Sequence, residues 1–176
     1  PGLFFCYGNN QNNILNSLNL TGCKSIKNLS ILSYNKLMSF DYNLPNLSSL
    51  KILGSFIDQL NLGAYPHLND LVCLGTPIER INGVSLSLQS VILEQTSLLN
   101  IDFSNYTNLT KFVCVNNPDL KNINLSGCIK LNRQISNMKN LPSLERLYYN
   151  TDSNICSTQN CNHSSNIYDF DSDSFS

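Results

Sequence analysis

Charged side chains are scarce in this chain of 176 residues, because Asp, Glu, Lys and Arg make up only 13% of it and the formal net charge is −1. Soluble domains usually contain about 25% charged residues. Such a composition offers nothing that attracts nucleic acid or an anionic membrane surface. No apolar run approaches the length of a membrane span either. We therefore predict no nucleic-acid partner and no membrane contact from this segment.

Residues for catalysis and metal binding are equally few. The two histidines are His67, in the turn sequence YPHL, and His163, near the end. No G-x-S-x-G, H-E-x-x-H or P-loop motif occurs. Cys156, Cys161 and His163 lack a fourth metal ligand, and the run DFDSDS lacks the Gly and the distal Glu of a calcium loop. The sequence predicts a protein that is not an enzyme and needs no cofactor or metal, with His67 on a solvated turn.

Leu, Asn and Ser are abundant, with 28, 28 and 23 copies, and apolar residues recur in five registered columns. The pattern is clearest in LTKFVCVNNPDLKNINL at residues 109–125. The columns that lead into and through the central part of each repeat are Ile26, Leu47, Leu68, Leu88, Leu109; Leu29, Leu50, Leu71, Val91, Phe112; and Ile31, Ile52, Cys73, Leu93, Cys114. Those of the second half are Leu37, Ile57, Ile78, Leu98, Leu120; and Phe40, Leu60, Ile81, Ile101, Ile123.

This repeat predicts a mainly β solenoid. A unit of about 21 residues cannot bury its own apolar face and must stack on its neighbours. Alternation with period two predicts one strand per coil, and stacked coils pair these strands as a parallel sheet on one face. The return segments, such as IDQLNL, also alternate, so we expect short strands or turns there and little helix. RQISNMKNL, residues 133–141, predicts a short helix before Pro142, and Leu144, Leu147 and Tyr149 predict a last strand.

A polar residue follows each predicted strand. We expect its side chain to hydrogen-bond the backbone of adjacent coils, where the bend leaves amides unpaired, with Asn doing so more completely than Ser or Thr. The residues are Asn35, Ser55, Thr76, Thr96 and Asn117.

The repeat divides the chain into two segments. Residues 1–150 predict about seven coils, beginning with LFFCYGNN, in which Cys6 aligns with Cys73. Residues 151–176 contain no Leu and keep no repeat register, which is typical of a linker or the start of a further module. Because the chain begins at Pro1 without Met, we expect a fragment of a longer protein, with any signal peptide or anchor outside it.

With these columns in place, the chain resembles the leucine-rich-repeat superfamily over roughly residues 3–149. It is most similar to the short repeats of internalin-like surface proteins that carry Cys in the ladder, as in IDFSNYTNLTKFVCVNNPDLKNINLSGC and NLTGCKSIKNL. The resemblance implies a right-handed solenoid that serves recognition and not catalysis. The chain departs from the pattern at Ile31, Ile52 and Leu93, which replace Cys.

The seven cysteines sort by position in the repeat. Cys6, Cys73 and Cys114 fall in the interior strand column, where a thiol acts as a small apolar group. Cys73 and Cys114 are too far apart for a disulfide, since a whole coil separates them. Cys23 and Cys128 occupy matching turns five coils apart and cannot pair with each other. Cys156 and Cys161 are candidates for a local disulfide or for partners in a following module.

Seven N-glycosylation sequons bear on localisation, and we expect none of them within a central strand segment. A glycosylated outer surface with a bare strand face is typical of a secreted receptor. The alternative is that an Asn-rich composition produces sequons by chance. They begin at Asn19, Asn28, Asn46, Asn105, Asn108, Asn124 and Asn162.

The outward side of the strands is the candidate binding face. Seven of the ten predicted outward residues are apolar, and an exposed apolar patch of this extent commonly marks a partner surface. The alternatives are a face covered by other parts of the chain, or mere strand propensity, although Leu is not β-branched. The predicted outward residues are Ser30, Leu32, Lys51, Leu53, Val72, Leu74, Ile92, Glu94, Val113 and Val115.

Together these features predict a non-catalytic recognition or adhesion module that is extracellular or on the cell surface and binds a protein or a glycan. Two alternatives remain. One is an intracellular, cytoplasmic scaffold, in which free thiols are natural and the sequons are accidental. The other is a structural spacer whose strand face is unused.

Overall fold

The computed structural model describes residues 3–7, 17–20, 22–32, 37–40, 44–132 and 136–150. Every coil contributes one strand to a large parallel sheet. Its seven strands, in spatial order, are β1 (Leu3–Tyr7), β3 (Asn28–Leu32), β5 (Ser49–Leu53), β7 (Asp70–Leu74), β9 (Ser90–Glu94), β11 (Lys111–Val115) and β13 (Asn137–Lys139). The chain is therefore a β-solenoid, as the repeat spacing predicted.

A second row of short parallel strands lies on the return side of the coils, also as predicted. It is divided into three small sheets. The strands are β2 (Ser17–Leu18) with β4 (Ser39–Phe40), β6 (Gln59–Asn61) with β8 (Arg80–Asn82), and β10 (Asn100–Asp102) with β12 (Asn122–Leu125) and β14 (Arg146–Tyr149). In the described ranges the only helical segment is a 3₁₀ turn, Leu62–Ala64, and no helix there is long and apolar enough to cross a membrane.

The register of the large sheet confirms the second and third apolar columns. Leu50 lies between Leu29 and Leu71, and Ile52 between Ile31 and Cys73. Cys6 lies beside Ile31 in the same register, which confirms its predicted column. These side chains from β3 to β11, with the first and fourth columns, form one continuous buried core. In the fifth column Ile81 is only half-buried, and the side chain of Phe40 lies outside the described part.

The helix predicted at residues 133–141 is wrong over residues 136–141, while residues 133–135 lie outside the described part of the chain. Residues 137–139 form β13 instead, which pairs Asn137 with Val113 and Lys139 with Val115. Met138 is buried and continues the third column, while its two neighbours are exposed. The backbone N–H and C=O groups on the open edge of β11 pair with an adjacent strand, whereas a helix at this position would leave them without hydrogen bonds. The last strand was correctly predicted, and it lies on the return side as β14.

Strands β5, β7, β9, β11 and β13 are each followed by a residue in the left-handed backbone region, which the sequence reading missed. The values of φ are 63° at Gly54, 59° at Gly75, 52° at Gln95, 56° at Asn116 and 55° at Asn140. This region bends the chain sharply and favours Gly and Asn over other residues. We call the turn that follows a strand of the large sheet the strand-end corner, and the turn that precedes such a strand the strand-start corner.

Candidate protein-binding face

In the polar column at the strand-end corners, Asn117 joins adjacent coils by hydrogen bonds. Its Oδ1 accepts from the backbone N–H of Thr96 at 2.9 Å and from the Thr96 hydroxyl at 2.7 Å. Its Nδ2 donates to the carbonyls of Leu93 and Val115, each at 3.1 Å. The predicted role is therefore confirmed for Asn117. Ser55 and Thr76 are also buried, but their hydroxyls have no partner within the described residues; Asn35 lies outside them.

The outward face of the large sheet, called the sheet face below, carries three rows of side chains. Neighbouring members of a row lie on adjacent strands, about 4.8 Å apart. The row nearest the strand starts is polar. Three of the six members of the middle row and four of the six members of the third row are apolar. The rows are Asn28, Ser49, Asp70, Ser90, Lys111; then Ser30, Lys51, Val72, Ile92, Val113, Asn137; and Leu32, Leu53, Leu74, Glu94, Val115, Lys139.

Nine of the ten residues predicted for this face are at least partly accessible, and Ser30 is not. Lys51 is exposed, while the apolar members and Glu94 are half-buried, because side chains in register on adjacent strands cover one another's flanks. Ser30 keeps only 7% of its surface accessible. The apolar rows therefore form a continuous surface and not isolated protruding side chains.

Polarity changes along the sheet face. Leu32, Leu53 and Leu74 form an uninterrupted apolar row on β3, β5 and β7. The next member of that row is Glu94, whose Oε1 accepts from Asn116 Nδ2 at 3.1 Å. Asn116 Oδ1 in turn accepts from Asn140 Nδ2 at 2.7 Å. One end of the face is thus apolar, and the other end has a hydrogen-bonded polar rim.

The strand-end corner beside the apolar row presents additional apolar surface that the sequence reading missed. Gly54 and Gly75 carry no side chain, and a Cβ added to Gly75 would meet nothing nearer than Gln95 Oε1 at 3.9 Å. Phe56 follows Gly54 by two residues and is 54% exposed. Its signal in the sequence was its place immediately before the fourth apolar column, where alternation directs a side chain outward.

The return side has a different chemical character. Its inward residues Leu60, Ile101, Ile123 and Leu147 are buried. Its outward residues on β6, β8, β10 and β12 are all polar: Gln59, Asn61, Arg80, Asn82, Asn100, Asp102, Asn122 and Asn124. The outward side of these four strands is therefore polar, unlike the sheet face with its apolar rows.

The thiols in the core are packing groups. Cys73, Cys114 and Cys128 are buried, Cys23 is exposed, and all four are free. Burial raises the pKa of Cys114 to about 12, against a smaller lowering by its contact with Asn117. Burial, followed by the charge of Asp102, raises the pKa of Cys128 to about 12. Burial alone also raises the pKa of the Cys73 thiol. Such thiols stay protonated and poorly nucleophilic at neutral pH.

Other predicted sites are placed as follows. His67 lies exposed on a turn, as predicted. Cys156, Cys161, His163 and Asn162 lie outside the described residues, as does the whole segment 151–176. Within the described ranges, no three His, Cys, Asp or Glu side chains lie together in a way that could hold a metal ion.

The sequons occupy different environments. Asn28 is the first residue of β3, so the expectation that no sequon lies within a central strand is wrong. Asn46 and Asn108 lie at strand-start corners, where each Nδ2 donates to a carbonyl of the preceding coil. Asn124 is half-buried, and Asn19 and Asn105 are exposed.

Comparison with known protein families, with curated proteins and with solved structures finds no match for this chain.

Proposed function

We propose that this chain is a non-catalytic recognition module of a secreted or cell-surface glycoprotein, and that it binds a protein partner through the sheet face. The observation that carries the proposal is the pair of apolar rows on that face. Leu32, Leu53 and Leu74 form one, and Val72, Ile92 and Val113 the other. Apolar surface of this kind is the part of an interface that contributes most on desolvation.

The surroundings of these rows support a protein ligand. Lys51 and Glu94 interrupt the apolar surface, and Asp70 and Lys111 flank it on the polar row. An apolar centre with a charged rim is the usual anatomy of a protein interface. A glycan ligand would instead require a dense set of hydrogen-bonding side chains at the centre, where this face has Val72 and Leu74.

We also propose membership of the leucine-rich-repeat superfamily, with short repeats similar to those of internalin-like proteins. Support comes from the stacked coils of about 21 residues, the buried thiols of Cys73 and Cys114, and the Asn117 side chain that joins neighbouring coils.

An intracellular scaffold is the second candidate. The four free thiols in the described part of the chain favour it, because disulfides are rare in reducing compartments. Three of the four are buried, however, and a buried thiol persists in either compartment. The redox state of Cys156 and Cys161 in protein isolated from its native host separates the two candidates, since a disulfide between them contradicts the intracellular one.

The binding proposal is tested with a photo-crosslinking residue placed at Val72 in the full chain within its native host. The partner captured there is purified, and its affinity is measured directly. Leu53→Asp and Val113→Asp should each weaken binding by more than about 30-fold, because a charge replaces an apolar contact worth about 2 kcal/mol or more. Both residues are half-buried and outward, so the circular dichroism spectrum should not change.

Leu86→Asp is the matched control. Leu86 is 64% exposed at a strand-start corner, away from the sheet face. The same substitution there should leave the affinity unchanged. Full binding by Leu53→Asp, or unfolding of either sheet-face variant, would show that the face is wrongly assigned.

A further inference from the structure

The polar residues of the two Asn-Leu-Ser/Thr sequons at strand-start corners already hold the coils together. Asn46 Nδ2 donates to the Lys24 carbonyl at 2.8 Å, and Asn108 Nδ2 donates to the Leu86 carbonyl at 2.9 Å. The hydroxyls of Ser48 and Thr110 donate to the Lys27 and Gln89 carbonyls at 3.1 and 3.0 Å. Both polar members of each triplet therefore serve the stacking.

Both the nitrogen and the oxygen of the Asn108 side-chain amide are hydrogen-bonded. Its Oδ1 accepts from Lys130 Nζ of the following coil at 2.7 Å. Ser87, one coil before Asn108, makes the equivalent contact by donating from its hydroxyl to the Pro66 carbonyl at 2.9 Å, although Ser87 begins no sequon. The bond is thus a property of the corner and not of the sequon. A sugar on Nδ2 would replace one N–H hydrogen where a carbonyl lies 2.9 Å away.

In two further sequons the third residue is buried or hydrogen-bonded in the fold. Asn28 is the exposed first residue of β3, and the third residue of its sequon, Ser30, is 7% exposed. Asn124 Oδ1 accepts from the Ser126 hydroxyl at 2.8 Å and from the Ser126 backbone N–H at 3.2 Å, so the two polar ends of that sequon bond each other. The sequons of Asn19 and Asn162 include residues outside the described part of the chain.

The sequon Asn105-Tyr106-Thr107 is open at both ends. Asn105 and Thr107 are exposed on consecutive turns. Tyr106 between them is 2% exposed, donates its hydroxyl to the Gly83 carbonyl at 2.8 Å, and packs edge-on against Phe103 with ring centroids 4.7 Å apart. This buried anchor directs its two neighbours outward. In the following coil the position equivalent to Asn105 is Gly127, which adds no side chain beside it.

We propose that Asn105 is a glycan acceptor of the folded protein, and that the sequons at Asn46 and Asn108 are stacking elements that carry no glycan. In the reaction, the Asn105 amide nitrogen attacks the anomeric carbon of a lipid-linked oligosaccharide. The bond from that carbon to the lipid diphosphate breaks, the lipid diphosphate leaves with the electron pair, and the amide gives up one proton. The assignment rests on the extracellular localisation in the proposed function.

Glycan transfer precedes folding, so the position of a glycan determines whether the glycosylated chain can fold. A sugar on Asn46 or Asn108 replaces one of the two amide hydrogens at a corner where the amide donates across coils. The chain then either loses that hydrogen bond, which contributes about 1 kcal/mol, or turns the sugar into the space between the coils. A chain with a sugar on Asn105 loses no hydrogen bond among the described residues. Folded, secreted protein should therefore be occupied at Asn105 and empty at the two corner sequons.

The test expresses the full chain behind a secretion signal in cultured eukaryotic cells and maps site occupancy in the folded, secreted protein by mass spectrometry. Thr107→Ala should remove the glycan from Asn105. In unglycosylated protein from bacteria, Thr107→Ala should leave the unfolding midpoint unchanged, whereas Asn108→Gln should lower it. An empty Asn105, or comparable occupancy at Asn46 or Asn108, would overturn the proposal. Partner binding is measured on the unglycosylated protein, so its outcome is separate from this one.

Discussion

At the scale of single residues, the strand-end corner decides how well one coil is joined to the next. Asn117 satisfies a backbone N–H and a hydroxyl of Thr96 and two carbonyls, all in a buried site. Thr76 occupies the same position in an earlier coil and brings a buried hydroxyl that has no partner in the described part of the chain. A buried polar group stabilises only when it is paired, and it costs free energy when it is not.

Opposite substitution effects are therefore expected at these two equivalent positions. Asn117→Ala should lower the free energy of unfolding by about 3 kcal/mol or more, because several buried polar groups lose their partner. Thr76→Val should leave it unchanged or raise it by up to about 1 kcal/mol, because a methyl group replaces an unpaired hydroxyl. Urea denaturation measures both. A large loss for Thr76→Val would mean that its hydroxyl is paired, and equal effects would remove the distinction between the positions.

At the scale of elements, the last strand of the large sheet is the one that sequence reasoning mistook. RQISNMKNL contains no strong breaker before Pro142, and its local composition suits a helix. What decides the outcome is not local: Lys139 supplies the carbonyl that accepts from Asn116 N–H at 3.0 Å, and Ser136 Oγ accepts from Phe112 N–H at 3.1 Å. The need of β11 for partners on its open edge exceeds the intrinsic preference of the segment.

Disrupting this strand should expose the edge of β11 without melting the coils before it. Met138→Asp places a carboxylate at a core position that is 7% exposed, so β13 should detach. The amide protons of Phe112 and Asn116 should then exchange much faster with solvent, while that of Gly75, which donates to the Glu94 carbonyl, stays protected. Hydrogen exchange followed by NMR resolves the three amides.

Asn137→Asp is the control for this experiment, because Asn137 is exposed on the same strand. It should leave all three exchange rates unchanged. Equal acceleration at Gly75 in Met138→Asp would show that the sheet opens as one unit and not strand by strand.

At the scale of the whole molecule, the spacing of apolar residues was sufficient to predict the solenoid, the parallel sheet and the outward rows. Coils in register repeat one environment, so each column reports the same burial many times. Features that depend on contacts between coils were not predictable in this way. The left-handed φ of Gln95 occurs at a residue that is not glycine, so the residue type did not indicate it. The hydrogen bond from Asn108 to the Leu86 carbonyl joins residues 22 apart in the chain. Alternation directs Phe56 outward, but the extent of its exposure at a corner depends on the neighbouring turns.

A further whole-molecule property follows from the thiols distributed through the core. Cys73, Cys114 and Cys128 belong to different coils and are all buried. Burial also raises the pKa of Tyr106, the neighbour of Cys128 in the adjacent coil, to about 12, with Asp102 and Cys128 adding to the increase. Each of these groups holds its proton more tightly in the folded chain than in the unfolded one. Each therefore lowers the stability of the fold as the pH rises above its unfolded pKa.

Stability should therefore be constant up to about pH 9 and should fall steadily above it, because the unfolded chain loses its thiol protons near 9.0 while Cys114 and Cys128 keep theirs until about 12 in the fold. At two pH units above the unfolded value, each thiol should account for roughly 3 kcal/mol of lost stability. Urea midpoints measured from neutral pH to pH 11 test this. Cys114→Ala should be less stable at neutral pH, because it leaves a small cavity, yet should lose less stability between pH 9 and 11 than the natural sequence. If the two pH profiles run parallel, the Cys114 thiol is not a source of the alkaline instability.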